Sequence, residues 1–230
     1  MESKATLDVV CRVLDSLVRV GDRYHGLLPS AIDLSTHEML AQLATPIEGQ
    51  RPGDRAPGGS NLMHDQHLLK VLRALGPLLG RADYTQAADR YLQRFATHCT
   101  DTETGLFPWG EHAYWDLVDD RVGDSHRCRQ PDRAEGMALH DHLRQAPLWL
   151  WEALHAIRPP CVERFANGLE YHFKEGAPRE YIRHAHIQRH ERLERGDKSA
   201  DFPRHGGFYL LDWAFAHGRS GRAELVQQME

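Results

Sequence analysis

The chain has 230 residues, 41% of them hydrophobic and 27% charged, with a formal net charge of -5. That is the composition of a soluble globular protein able to bury one substantial core, so one domain is expected. The acidic balance argues against general nucleic-acid binding, and no stretch approaches the ~20 apolar residues of a membrane span.

The N-terminal segment from Met1 to Asp8 carries acidic residues and lacks the basic start and apolar run of a secretory signal, so the sequence reads as cytoplasmic. Cys11, Cys99, Cys128 and Cys161 are scattered without paired Cys-x-x-Cys spacing, which favours reduced thiols over a structural zinc site or a disulfide framework. Ten of the 16 histidines fall between His112 and His205, which biases the second half toward metal or acid/base chemistry.

In chain order, Leu7, Val10, Cys11, Leu14, Leu17 and Val18 share one helical face, and the helix ends near Gly21 or Gly26. Leu68 to Leu79 reads as a second helix. Asp83 to Cys99 reads as a third, with Asp83 as its N-cap and Tyr84, Ala88, Tyr91, Leu92 and Phe95 as its apolar stripe. Leu143 to Ile157 predicts a helix that Arg158-Pro159-Pro160 stops, and Val162, Phe165, Leu169 and Phe173 begin its hairpin partner. Phe208 to Phe215 opens another helix, Arg222 to Glu230 its partner, and strict alternation is scarce, so strand content should be minor. Helical hairpins spaced roughly every 45 residues, with long polar connections such as Glu48–Ser60 and Asp101–Asp116, predict an all-α, α/α-toroid or solenoid architecture with chemistry in the loops.

Three stretches concentrate functional side chains. In Gly105-Leu-Phe-Pro-Trp-Gly-Glu-His-Ala-Tyr-Trp-Asp116, Gly110 permits a tight turn, Glu111 supplies a carboxylate and His112 a metal ligand. Trp109, Tyr114 and Trp115 are platforms for sugar rings; alternatively Trp109 and Trp115 are core anchors and His112 a satisfied polar group. In His140-Asp141-His142, the imidazoles and carboxylate share a cation, or Asp141 caps a helix beside exposed histidines. In Tyr181-Ile-Arg-His-Ala-His186, the Arg183 guanidinium suits a substrate carboxylate and His184 a metal, against a solvated loop followed by an exposed helical face from Arg189 to Arg195. Weaker signals are Asn61 with His64-Asp65, Arg23 with His25, Arg204-His205, and Arg51 and Arg55 in a Gly-rich loop.

From Gly105 to His186 the chain resembles the family 2 pectate lyases, α/α-toroid polysaccharide lyases. Trp109-Gly110-Glu111-His112 is similar to that family's Trp-Gly-x-His ligand segment, Asp141-His142-Leu143-Arg144 to its His-Glu-Leu-Lys segment, and Arg183-His184 to its Arg-His pair. The resemblance implies metal ligands His112, His142 and His184 and a catalytic Arg183, and the residues themselves offer His186 and Glu111 as further catalytic candidates. Trp109, Tyr114, Trp115, Asp141, Arg144 and Arg204 would contact an acidic oligosaccharide or polysaccharide. His142 stands where the family has Glu, so a three-imidazole site favours zinc, nickel or cobalt over the family's harder manganese or magnesium. The family's later lysine has no counterpart, and its toroid is longer than 230 residues build, so a compact or incomplete ring, or the N-terminal part of a longer one, is expected.

The implied chemistry is β-elimination: a cation polarises a uronate carboxylate, a base removes the C5 proton and the 4-linked bond breaks. Arg183 is an awkward base, because a guanidinium stays charged at neutral pH, so His186 and a metal-bound hydroxide compete for the role. Two other readings fit the same residues. One is a glycoside hydrolase or epimerase using Glu111 or Asp141 as general acid, and the other a non-catalytic glycan-binding helical protein.

Overall fold

A computed structural model of the chain describes residues 2–40, 45, 47–48, 56, 58–125, 138–140, 146–176, 180–193 and 203–230, without the side chains of 2–3 and 203–205. The first helix, α1 (Glu2–Asp22), turns the expected stripe inward: Leu14 and Val20 are buried while Val9 and Val13 face out. It packs on the hairpin of α2 (Leu62–Leu79) and α3 (Ala82–Arg94). These two helices approach so closely that a Cβ on Gly76 would stand 2.3 Å from Thr85 Oγ1. α3 starts at an N-cap of Arg81, not Asp83. Arg81 gathers Asp83 and Asp15 into one ionic cluster, so Asp83 is spent there rather than on the cap. At Phe95–Cys99 the helix widens into a π-turn.

The Asp101–Asp116 connection is more ordered than its polarity suggests. It crosses α5 (Pro159–Gly168), where the left-handed Gly105 (φ 81°) lies so near that a Cβ would meet the Arg164 carbonyl at 2.4 Å. It then becomes β2 (Ala113–Asp116), the middle strand between β1 (Gly59–Ser60) and β3 (Arg121–Asp124), both antiparallel to it. A second antiparallel pair joins β4 (Leu139–His140) to β5 (Ala185–His186). Such short strands leave almost no run over which alternation can be read.

α4 (Leu148–Ile157) begins later than its apolar content suggests, and a single residue, Arg158, separates it from α5, on which it packs. The prolines at the start of α5 sit where a missing N–H costs nothing. α6 (Pro203–Ser220) docks on α5 through Trp213, whose indole N–H donates to the Ala166 carbonyl at 2.8 Å, and α7 (Ala223–Met229) folds back against it. Residues 189–193, expected on an exposed helical face, are irregular instead, and Arg192 lies over the Tyr171 ring.

The core centres on Phe95, Phe107, Trp109, Trp151 and Phe165, whose rings meet at 4.5–6.2 Å in stacked, tilted and edge-on pairs. The described part of the chain is thus mostly helical, with seven α-helices. Among the described residues no helix is long and apolar enough to cross a membrane. Cys11, Cys99 and Cys161 are free thiols, and Cys128 lies outside the described residues.

Candidate active site

Two turns from distant parts of the chain meet beside the ends of the two small sheets. The first carries Glu111 and His112. Gly110 adopts φ 99°, open to glycine at little cost, and reverses the chain directly before β2. Asn61, the N-cap of α2, grips this turn: its amide N–H donates to the carbonyls of Gly110 (2.9 Å) and Ala113 (3.2 Å), while its oxygen accepts from Met63 N–H. One side chain therefore both starts a helix and fixes the turn bearing His112.

His112 is buried at 6% exposure, and its orientation follows from strand register. Ala113 pairs with Asp124, so the next rung sets His112 opposite Ser125. The Ser125 N–H donates to the His112 carbonyl at 2.9 Å, and the Ser125 hydroxyl stands 3.3 Å from His112 Nδ1. The hydroxyl contact at Nδ1 fixes the plane of the ring.

The second turn carries Arg183 and His184, just before β5. The His184 ring centroid lies 5.6 Å from that of His112, with 49° between the planes. Two imidazoles on one tetrahedral ion, with metal–nitrogen bonds of about 2.0–2.1 Å, hold their centroids about 5 Å apart, close to the spacing of this pair. Arg183 Nη2 faces Glu111 Oε2 at 3.5 Å, with both side chains partly exposed. A cation, a carboxylate and two imidazoles thus share one face.

The turns are tied together from behind. The Asp124 carboxylate accepts the Leu139 N–H at 2.6 Å, joining β3 to β4, and Thr104 holds the carbonyls of His186 and Ile187. The hairpin itself is anchored by Asp120 at its tip. Despite the burial that would raise its pKa, hydrogen bonds from Arg94 and the Trp115 indole hold this carboxyl down to about 2. Near Asn61, burial pushes the Asp65 carboxyl up to about 6, and hydrogen bonds from Tyr91, the Asn61 backbone and Ser60 only partly oppose it.

Of the residues singled out by sequence, Glu111, His112, Arg183 and His184 come together. His186 is buried on β5 with Nε2 3.9 Å from Glu191, a carboxylate outside this cluster. The sugar-platform role of three aromatics is corrected. Trp109 is 1% exposed within the aromatic core, Trp115 packs against His98 and donates to Asp120, and the Tyr114 ring covers Gly59 and Gly123 on the neighbouring strands. Burying about 200 Å² of ring contributes about 5 kcal/mol, and the loop face needed that apolar filling.

Asp141, His142 and Arg144 lie outside the described residues, as does the side chain of Arg204. Among the described residues no group of three or more His, Cys, Asp or Glu is assembled for a metal. Sequence reasoning missed Ser125 and His172. Ser125 carries no motif, and His172 is hidden inside an apolar stripe.

The family model described as periplasmic pectate lyase matches residues 27–197. That description overturns the cytoplasmic expectation, which rested only on the character of the first residues.

Proposed function

The chain belongs to the periplasmic pectate lyase family, and we propose on that premise that it cleaves a uronic-acid-containing polysaccharide by β-elimination at the face shared by Glu111, His112, Arg183 and His184. One observation carries the reading. Turns 72 residues apart bring the Glu111–Arg183 pair together, and the adjacent imidazoles of His112 and His184 stand 5.6 Å apart. Packing alone does not ask for such a polar cluster beside an aromatic core.

In this reading His112 and His184 hold a divalent cation, manganese, zinc, nickel or cobalt, with the family resemblance adding His142. A cation held there would neutralise the uronate carboxylate and make it a better electron sink. Arg183 turns from Glu111 toward the sugar and removes the C5 proton. The electron pair then forms the C4–C5 double bond, the C4–O bond breaks, and the leaving oxygen takes a proton from water. Asp141, Arg144 and Arg204 are assigned to the substrate from sequence alone, and His186 is the competing base. The finer architecture we propose is a compact or incomplete α/α toroid whose hairpins curve around this face.

The test is incubation with uronate oligomers, following the ultraviolet absorbance of the unsaturated product with and without chelator, in the native protein and in His112→Ala and His184→Ala. Absorbance should grow, stop on chelation and be lost in both variants. Binding without unsaturated product, across a range of uronates and metals, would sink the lyase reading.

A further inference from the structure

Behind the site runs a chain of hydrogen bonds that neither the family resemblance nor the sequence motifs identify. The Trp109 indole N–H donates to His140 Nε2 at 3.2 Å, His140 Nδ1 lies 2.7 Å from His172 Nε2, and His172 Nδ1 lies 2.9 Å from the Ile182 carbonyl. Both imidazoles are buried, at 1% and 0% exposure.

The ends dictate the protons between them. An indole can only donate, so His140 Nε2 is an acceptor, and a carbonyl can only accept, so His172 Nδ1 carries a hydrogen. One arrangement satisfies these three contacts: both rings carry a hydrogen on Nδ1, with all donors aimed from Trp109 toward Ile182. The endpoints matter because Trp109 precedes the turn bearing Glu111 and His112, and Ile182 directly precedes Arg183 and His184. The Ile182 N–H also donates to the His172 carbonyl at 2.7 Å, so His172 holds the peptide groups on both sides of Ile182.

We infer that Trp109, His140 and His172 form a polar brace with a fixed proton order that sets the spacing between the Glu111–His112 turn and the Arg183–His184 turn. His140 and His172 are positioning residues, and their effect on turnover rests on the lyase reading above. The brace itself does not. A cation shared by two turns demands their separation within a fraction of an ångström, and a buried, fully paired chain is stiffer than loop packing alone.

The test has two arms. Long-range proton–nitrogen correlation spectra of the ¹⁵N-histidine protein should show His140 and His172 protonated on Nδ1 alone. Either ring found on Nε2, or doubly protonated, overturns the brace whatever the activity. In the second arm, His172→Leu removes the donor to Ile182, whereas His172→Asn keeps an amide donor near the Nδ1 position. Co²⁺ titration should show binding weakened about tenfold or more in His172→Leu and restored to within about threefold in His172→Asn. On uronate polymer, kcat should fall with the same pattern while KM stays within about twofold.

Native-like Co²⁺ affinity and kcat in His172→Leu overturn the positioning role. If His172→Leu does not fold, Trp109→Phe, which removes the terminal donor together with part of the indole ring, is read in the same way. Failure of the native protein to bind Co²⁺ or to form unsaturated product counts against the lyase reading, and the nitrogen spectra then decide the brace.

Discussion

Ser125 meets His112 twice, through its N–H on the carbonyl at 2.9 Å and through its hydroxyl 3.3 Å from Nδ1. The antiparallel register of β2 and β3 sets them opposite each other just outside the strands, one rung beyond Ala113 and Asp124. A strand ladder thereby orients a candidate ligand. Ser125→Ala should keep the backbone contact and lose only the ring contact, weakening Co²⁺ or Mn²⁺ binding about tenfold with about 1 kcal/mol lost in stability. Calorimetric titration and urea unfolding measure the two effects separately, and unchanged affinity would show that Ser125 does not orient the ligand.

The pairing of Glu111 with Arg183 separates two roles for the carboxylate. If Arg183 removes the proton, Glu111→Gln weakens this one contact without removing the base, and kcat should change by less than about tenfold. Arg183→Lys should lose at least about 100-fold, the usual contribution of a positioned base. A 100-fold loss in Glu111→Gln would transfer the proton-removing role to Glu111.

Asn61 combines a helix cap with a clamp, and the two can be tested apart. Aspartate caps as well as asparagine, but it would set an oxygen where the amide N–H now faces the carbonyls of Gly110 and Ala113. Asn61→Asp should therefore cost about 1–3 kcal/mol in urea unfolding and reduce activity as well. Stability equal to the native protein would mean that the clamp contributes little.

Asp65 gives a pH signature of folding. Its carboxyl stands at about 6 in the fold against an ordinary value of 3.8, so the folded state binds the proton more tightly. The resulting stabilisation is fully present below about pH 4 and is lost as the pH rises through 6. The residue touches solvent at one edge, which makes about 3 kcal/mol the ceiling. Asp65→Asn, which keeps an acceptor for the Tyr91 hydroxyl, should flatten this part of the profile, so that its melting temperature exceeds that of the native protein more at pH 7 than at pH 4. Parallel melting curves across that range would contradict the shift.

Helices were legible wherever their apolar residues repeat over several turns, as in α1 from Leu7 to Val18 and α3 from Tyr84 to Leu92. Ends were less legible. Asp83 has the chemistry of a cap, yet Arg81 recruits it together with Asp15, a residue 66 positions away from Arg81. The strands around Trp115 and His140 were invisible because two to four residues carry no measurable alternation, and their pairing is a long-range event. The 111–112 and 183–184 segments stood out because imidazole, carboxylate and guanidinium cluster in few residues.

Sequence by itself determined the helical character, the turn at Gly110 and the concentration of imidazole, carboxylate and guanidinium groups in three short segments, since these follow from local periodicity and side-chain type. Only the tertiary structure decided which way Trp109, Tyr114 and Trp115 face, that His112 meets Ser125 and His184, and that His140 and His172 serve the interior. An aromatic or histidine has the same local signature whether it lines a cleft or fills a core. The choice falls to the buried area and hydrogen-bond partners that distant segments bring, and those exist only once the chain has folded.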